Sequence, residues 1–546
     1  MNDAFTPIPD ISALHLAVYE RQRAQGRTQT AQRALLDALA GASEAEWLTC
    51  ARSLVLRSDT DTAQVVLSAA LIVHPDSVDL RFALAGILQQ RGESAAAEAL
   101  LHELLAQQPA HAAAAFLLAG LLRQQGRMHA AASAMRHLFG HARLDADTVI
   151  QAVEMLDDIQ RTSDAAAICE AEITAGSTDP RIHAYAGMLG IQLGQFERVR
   201  ERYAFALAHS PQAVEWNIPI GLSSLQRYKN GSHPDFQLFR DVLQQPDLSE
   251  KARITTLFAL GKAHDDIADY AQAAYYLRQA NALAHARSSW SRKHWRRLVE
   301  ARLAARPSPF QLPAPSEWTP LFIVGVPRSG TTLLAELLAH HPLVCNRGEL
   351  GWLATLARRL EQAGAREPAA LEQAANNYAA QLRQDDSSAR WFIDKQPLNL
   401  LHIDLILTLW PNARIIHCRR NLRDTALSLW SQSFHDHAHD YAYDFGDIAA
   451  LIQGCERLHA HSLARHAASI HTVHYEELIA DPAPCLGELA RWLGLPEHDL
   501  LGSPSGDHAI STASVWQARQ PIHPHSVARW RFYAPDVPEL LRLPDK

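Results

Sequence analysis

The sequence predicts an N-terminal α-solenoid of helical repeats followed by a P-loop-like α/β domain with a parallel sheet. Three observations carry this prediction. Prolines and glycines recur on a 34-residue beat through the first half. A proline-rich stretch near residues 306–318 breaks the helical text. Beyond it, short apolar β-branched runs alternate with helical segments, the pattern of a parallel sheet covered on both faces.

The repeat comes first. Pro75 closes "ALIVHP" and Pro109 closes "LLAQQP", 34 residues apart, and Pro211 falls four periods after Pro75. Gly92, Gly126 and Gly194 keep the same beat, with Gln160 standing at the one position between them. Ala85-Gly86 and Ala119-Gly120 put small residues at equal spacing. Two amphipathic helices per period, with small residues at the crossing, a Gly turn and a closing Pro, make a tetratricopeptide pattern. Each pair leaves an apolar face that only its neighbour buries, so the pairs must stack. Residues 141–180 are a degenerate helical stretch, and 257–285 read as a further repeat.

The domain boundaries follow: a helical repeat domain over 1–290, a basic helix and Pro-rich linker over 291–317, and an α/β domain over 318–546. The basic helix reads as a solvated cap, and "PSPFQLPAPSEWTP" cannot continue a helix.

Composition limits the function. A net charge of -8 argues against a nucleic-acid binder driven by bulk phosphate attraction. The six cysteines lie far apart with no C-x-x-C pair, which fits neither a disulfide framework nor a zinc site and favours a reducing compartment. No leader-like N-terminus and no run of about 18 apolar residues is found, so the expectation is a cytoplasmic protein without a membrane span.

Strands are expected at 321–326, 390–395, 413–418 and 470–475, with ligands beyond their carboxyl ends. After the first comes "GVPRSGTT", the G-x-x-x-x-G frame of a nucleotide P-loop with Thr331 where an ATPase carries Lys. The N–H groups from Ser329 to Thr332, spanning Gly330, open a helix whose positive end favours an anion. The hydroxyls of Ser329, Thr331 and Thr332 add donors, and the charge sits upstream at Arg328. Such a loop suits one phosphate and a neighbouring transferable group rather than a magnesium triphosphate. After the third strand, "RRNLRDTALSLW" places Ser428 eight residues beyond Arg420, on roughly the same side of a helix that also carries Arg423. Two anion cradles on adjacent strands imply a ligand with two separated phosphates.

"VGVPRSGTTLL" resembles the 5′-phosphosulfate loop of sulfotransferases, and "RRNLRDTALS" resembles their 3′-phosphate motif. The resemblance is greatest to the tyrosylprotein sulfotransferase branch, in the bacterial form that carries N-terminal tetratricopeptide repeats. It implies 3′-phosphoadenosine-5′-phosphosulfate as co-substrate and no metal. It implies that Glu349 in "CNRGELGWL", 21 residues after Arg328, is the base that deprotonates the acceptor hydroxyl. It further implies that Lys395 in "FIDKQPLN" stabilises the bridging oxygen and Arg328 the sulfuryl oxygens. Ser514, with Thr512 as the register alternative, would assist the leaving phosphate. Arg529 stands where the family keeps a lysine near the nucleotide, and Tyr475 matches a tyrosine beside it. His340 and His341, near the first helix, read better as partners of its C-terminal dipole than as bases.

The departure from the family is "FHDHAHDYAYD" at 434–444, whose His/Asp run 435–444 reads as an acceptor-site or lid loop rather than a metal site. Arg347, Arg358 and Arg359 flank Glu349 as candidates for attracting an acidic acceptor. The expected partners are an acceptor protein or small hydroxyl substrate, and a protein bound by the repeats. Two competing readings remain: a silent repeat scaffold that senses a nucleotide, and a kinase, for which Asp394 is the sole candidate magnesium ligand.

Overall fold

The computed structural model describes residues 11–545, apart from 142, 307, 309, 365–366, 435–436, 503–521 and 523. The chain forms two compact units, residues 1–148 and 149–546. That division falls inside the helical half. The 306–318 stretch marks the change from helix to sheet.

Among the described residues, the first unit holds eight helices: α1 (Ile11–Ala24), α2 (Thr28–Leu39), α3 (Glu44–Leu56), α4 (Thr60–Val73), α5 (Val78–Gln90), α6 (Ser94–Gln107), α7 (Ala112–Gln124) and α8 (Met128–His141). Its period is visible in the packing. Ala63, Ala97 and Ala131, one period apart, are all fully buried, so a methyl side chain sets how closely the helices approach. Side chains start the helices where the sequence offers a cap: Asp59 accepts from Thr62 N at α4, and Ser77 from Leu80 N at α5.

The second unit begins within α9 (Ala146–Asp158) and continues through α10 (Thr162–Thr174), α11 (Pro180–Leu193) and α12 (Phe196–His209). The degenerate stretch is thus a regular helix pair, with Ala165 buried on the same beat. Two short helices, α13 (Ile218–Ser223) and α14 (Pro234–Leu243), lead to a longer hairpin, α15 (Glu250–Asp266) and α16 (Tyr270–Ala286). The basic segment forms α17 (Arg292–Leu303). It is more than a solvated cap: Trp295 and Val299 are buried, and Trp295 Nε1 donates to Ala450 O at 3.0 Å. Leu312 of the linker is buried as well, its N–H bonded to Thr408 O.

A five-stranded parallel sheet follows, in the order β2-β3-β1-β4-β5. The strands are β1 (Thr319–Gly325), β2 (Val344–Asn346), β3 (Trp391–Asp394), β4 (Arg414–Arg419) and β5 (Ile470–His474). Alternate residues of β1 enter two different cores. Phe322 and Val324 pack on one face with Phe392 and Ile415, while Leu321 and Ile323 pack on the other with Ile393 and Ile416. That is why the strand reads as unbroken apolar text. The helices that matter for the site are α18 (Thr331–Ala339), α19 (Trp352–Ala363), α20 (Pro368–Arg383), α21 (Ile403–Leu409), α22 (Leu422–Trp430), α23 (Phe445–His466), α24 (Tyr475–Ala480) and α25 (Pro482–Leu493). The hairpin docks on this domain directly: Asn281 Nδ2 donates to Trp430 O at 2.9 Å, and Tyr270 stacks on Phe532.

Candidate active site

The loop between β1 and α18 is shaped by three left-handed residues, Gly325, Arg328 and Gly330, with φ of 152°, 74° and 96°. A Cβ on Gly325 would lie 2.5 Å from Cys418 O on β4, and one on Gly330 would fall onto the Tyr475 ring. Both glycines are therefore fixed by close approach as well as by φ. Arg328 has no such excuse. A non-Gly residue in this conformation costs on the order of 1–3 kcal/mol, a strain typical of functional loops. The conformation carries its Nε to Ser428 Oγ on α22, at 3.0 Å.

That hydrogen bond ties the two predicted cradles together. Arg420, just after β4, donates through Nη1 to Arg328 O at 3.1 Å and through Nη2 to Ser526 O at 2.6 Å, and its guanidinium lies 4.7 Å from the Tyr475 ring centre. Burial, and then the neighbouring Arg420 and Arg529 charges, push the Arg328 guanidinium down to about 10, while Glu349 and Tyr475 pull it upward. Burial also lowers Arg420, with Arg529 adding to the effect. A site that destabilises its own cations favours an anion that relieves them.

The donor set fits phosphate. Ser329, Thr331 and Thr332 are buried at the start of α18, whose first N–H groups have no intrahelical partner. Ser329 Oγ and Arg420 Nε are buried without a hydrogen-bond partner among the described residues. Such orphaned donors cost free energy unless a ligand satisfies them.

On the other side of β1, the segments just beyond β2 and β3 carry Glu349 and Lys395. The chain beyond β2 stays alongside β3, with Arg347 N bonded to Ile393 O at 2.9 Å and Lys395 N to Gly348 O at 2.8 Å. Asn346 Oδ1 accepts from Gly348 N, and Leu350 N donates to Asp394 Oδ1. Glu349 is thereby held from both flanks, and its carboxylate accepts from Lys395 Nζ. The pair is asymmetric: the Lys395 side chain is 1% exposed and that of Glu349 is 32%.

Asp394, at the end of β3, is fully buried. It accepts from Tyr378 OH, from Asn399 Nδ2 at 2.7 Å and from Leu350 N. Burial pushes its carboxyl up to about 7 against those hydrogen bonds and the Lys395 charge. It braces the Glu349 loop and presents no open oxygen for a magnesium ion.

Several candidates are engaged elsewhere. Arg529 pairs with Asp265 of α15, and Tyr533 OH donates to the same carboxylate at 2.6 Å. Burial lowers Arg529, but Asp265 and Tyr533 outweigh it and the guanidinium is held above its ordinary value. Asp424, which sequence reasoning passed over, accepts from Ala528 N and Trp530 N and pins the segment that carries Arg529. Arg423 donates to Leu543 O and stacks on Trp530, so it serves the C-terminal segment. Arg347 is buried and spent on Leu382 O, Arg383 O and Asp386, which removes it as an acceptor magnet; Arg358 and Arg359 are exposed on α19. His340 and His341 bond Leu500 O and Pro496 O. Ser514 and Thr512 lie outside the described residues.

In the 434–444 stretch, Asp440, Tyr441, Ala442 and Tyr443 are buried, and Asp440 accepts from Ser289 N. This part is packed inward, unlike a lid. Asp444 and Asp447 gather with His285 at metal-like spacing, but Arg292 already pairs with both carboxylates.

A glycine-shaped loop at the end of β1, an Arg–Ser pair beyond β4 and a carboxylate–ammonium pair beyond β2 and β3 thus lie beyond the carboxyl ends of neighbouring parallel strands. Residues 320–499 match the sulfotransferase family and residues 54–121 the tetratricopeptide repeat, so the chain carries a sulfotransferase domain joined to tetratricopeptide repeats. An uncharacterized protein of Aquifex aeolicus is 26% identical over 370 residues, covering 62% of this chain and 47% of that one. Protein-tyrosine sulfotransferase 1 of Danio rerio is 25% identical over 232 residues, 38% of this chain and 65% of that one. The matches thus span between about half and two thirds of these relatives. Among solved structures, the sulfotransferase domain of the Synechococcus PCC 7002 olefin synthase aligns with a TM-score of 0.32 at 24% identity, covering 41% of this chain and 90% of that one. Among the described residues, no helix is long and apolar enough to cross a membrane.

Proposed function

We propose that the protein transfers a sulfuryl group from 3′-phosphoadenosine-5′-phosphosulfate to an acceptor hydroxyl. The observation that carries this is the convergence of the Glu349–Lys395 pair with the Arg328–Ser428 pair, whose charges interact across β1. The first turn of α18, with Ser329, Gly330, Thr331 and Thr332, would hold the 5′-phosphate, and Arg420 with Ser428 the 3′-phosphate. Tyr475 lies between them against Gly330, where it can flank the nucleotide. Ser514 is kept as a helper of the leaving phosphate on resemblance alone, and Arg529 as a charge behind Arg420 rather than a direct ligand.

The step balances without a metal. Glu349 takes the acceptor proton, the acceptor oxygen bonds to sulfur, and the bond between sulfur and the bridging oxygen breaks. The bisphosphate departs with that electron pair, its bridging oxygen stabilised by Lys395 while Arg328 stabilises the sulfuryl oxygens. In the free site Lys395 Nζ donates to the Glu349 carboxylate. As charge develops on the bridging oxygen, the ammonium has a second anion to turn towards, and the carboxylate is released to act as base.

A protein tyrosine is the acceptor favoured by the resemblance to the tyrosylprotein enzymes, and the repeats would present a protein partner or the acceptor itself. Incubation with sulfur-35-labelled donor, a tyrosyl peptide, a simple phenol and a cell extract tests this. Label in the peptide and in extract proteins supports tyrosine transfer. Label confined to the phenol or to glycans moves the acceptor to another class. A protein that binds donor and labels nothing is the silent scaffold.

A further inference from the structure

The turn between α9 and α10 breaks the rule of its own repeat. On the 34-residue beat, the turn positions are Ser58, Gly92, Gly126, Gln160 and Gly194, and all five have positive φ, from 58° to 78°. Glycine adopts that conformation freely; a Gln strains to do so. Ser58 has a short side chain that tolerates turns, whereas Gln160 carries a long carboxamide into the left-handed conformation at φ 61°.

The carboxamide has a destination. A Cβ built on Gly348 would lie 3.4 Å from Gln160 Nε2, so this group sits against the residue preceding Glu349. The next residue, Arg161, anchors the turn there, pairing with Asp386 at 2.7 Å. Asp386 also accepts from Arg347, two residues before Glu349. The turn is thus clasped to the segment after β2 that carries the proposed base. Gln160 itself is partly exposed, and its carboxamide makes no hydrogen bond among the described residues.

We propose that Gln160 is an acceptor-binding residue, and that this helix pair forms a wall of the acceptor site. Its carboxamide offers both a donor and an acceptor beside the base, suited to an amide or hydroxyl group of the acceptor next to the reacting oxygen. The inference rests on the sulfotransferase reading with Glu349 as base. It adds a function for the repeat-like helices that acts within the chemistry.

The test uses the full chain as wild type, Gln160→Gly and Gln160→Asn, with sulfur-35-labelled donor and a tyrosyl peptide or simple phenol, whichever the wild type labels. Gln160→Gly restores the residue the repeat prefers, so its melting temperature should rise by about 1–3 °C. Its KM for the acceptor should nevertheless rise about three- to tenfold, the loss of one neutral hydrogen bond, with donor affinity unchanged. Gln160→Asn should recover part of that loss. An unchanged acceptor KM in Gln160→Gly overturns the proposal. So does a lowered melting temperature, which would make Gln160 a packing residue and is read without any acceptor. Failure of the wild type to label the peptide, the phenol or any component of a cell extract would instead count against the catalytic reading on which the proposal rests.

Discussion

Lys395 is a buried ammonium whose anionic partner, Glu349, is the more exposed member of the pair. The two arrive from adjacent strands: Glu349 on the extension of β2, and Lys395 immediately after β3. The carboxylate reaches solvent while the ammonium is enclosed by the protein, the arrangement the proposed base role needs.

Replacing Glu349 by Gln should therefore lower turnover by about 10²–10⁴-fold, the range for a positioned base, and leave affinity for the bisphosphate nucleotide within about twofold. Rapid-quench transfer assays and calorimetry on the same variant check both halves. Loss of nucleotide binding with preserved chemistry would move the base elsewhere.

Stability should respond unequally to the two partners. Glu349→Ala strands a buried ammonium and should cost about 3–5 kcal/mol, whereas Lys395→Ala leaves a carboxylate that water can reach and should cost less. Urea denaturation of the two variants measures the difference. Equal costs would mean that Glu349 is as deeply enclosed as its partner.

The phosphate loop has a testable steric logic. Gly330→Ala should abolish nucleotide binding because its methyl meets the Tyr475 ring, and Tyr475→Ala in the same chain should restore part of it. Gly325→Ala meets a backbone carbonyl, which cannot step aside, so the second change should not rescue it. Affinities of the four variants form the comparison.

Acid should destabilise the α/β domain before its carboxylates titrate. His417 of β4 and His459 of α23 stack at 3.5 Å, both buried. Burial holds His417 well below its ordinary value and His459 at about 4. Their folded values lie below the unfolded one. The stability they support is thus complete above about pH 6.5 and is lost as pH falls towards 4, on the order of 1–2 kcal/mol at pH 5 for His459. His459→Phe, which keeps the ring stack, should flatten the loss of urea midpoint between pH 7 and pH 5.

The architecture was legible because it is periodic. The 34-residue beat located the helix pairs, and apolar runs located β1, β3, β4 and β5 to within two residues at either end. The loop frame and the Arg420–Ser428 spacing located both cradles for the same reason, since local backbone geometry demands particular residues there. What was missed is non-local. Strand β2 has three residues and no pattern to betray it, yet it brings Glu349 to Lys395. Arg347 looked like a surface charge and is buried, because Asp386 and two carbonyls receive it. Asp265 and Gln160 belong to the helical half, and nothing in their spacing announces that α15 reaches Arg529 or that a repeat turn reaches Gly348. One signal was present: Gln160 interrupts a row of glycines.

On the proposed reading, the site between β1 and β4 holds two separated phosphates and not a magnesium triphosphate. Isothermal calorimetry with 3′,5′-bisphosphoadenosine and, in parallel, with ATP and magnesium measures this most directly. The structure predicts binding of the bisphosphate, weakened at least tenfold in Arg420→Ala, and little or no binding of magnesium ATP. Tighter binding of magnesium ATP, or bisphosphate binding that ignores Arg420, would contradict it.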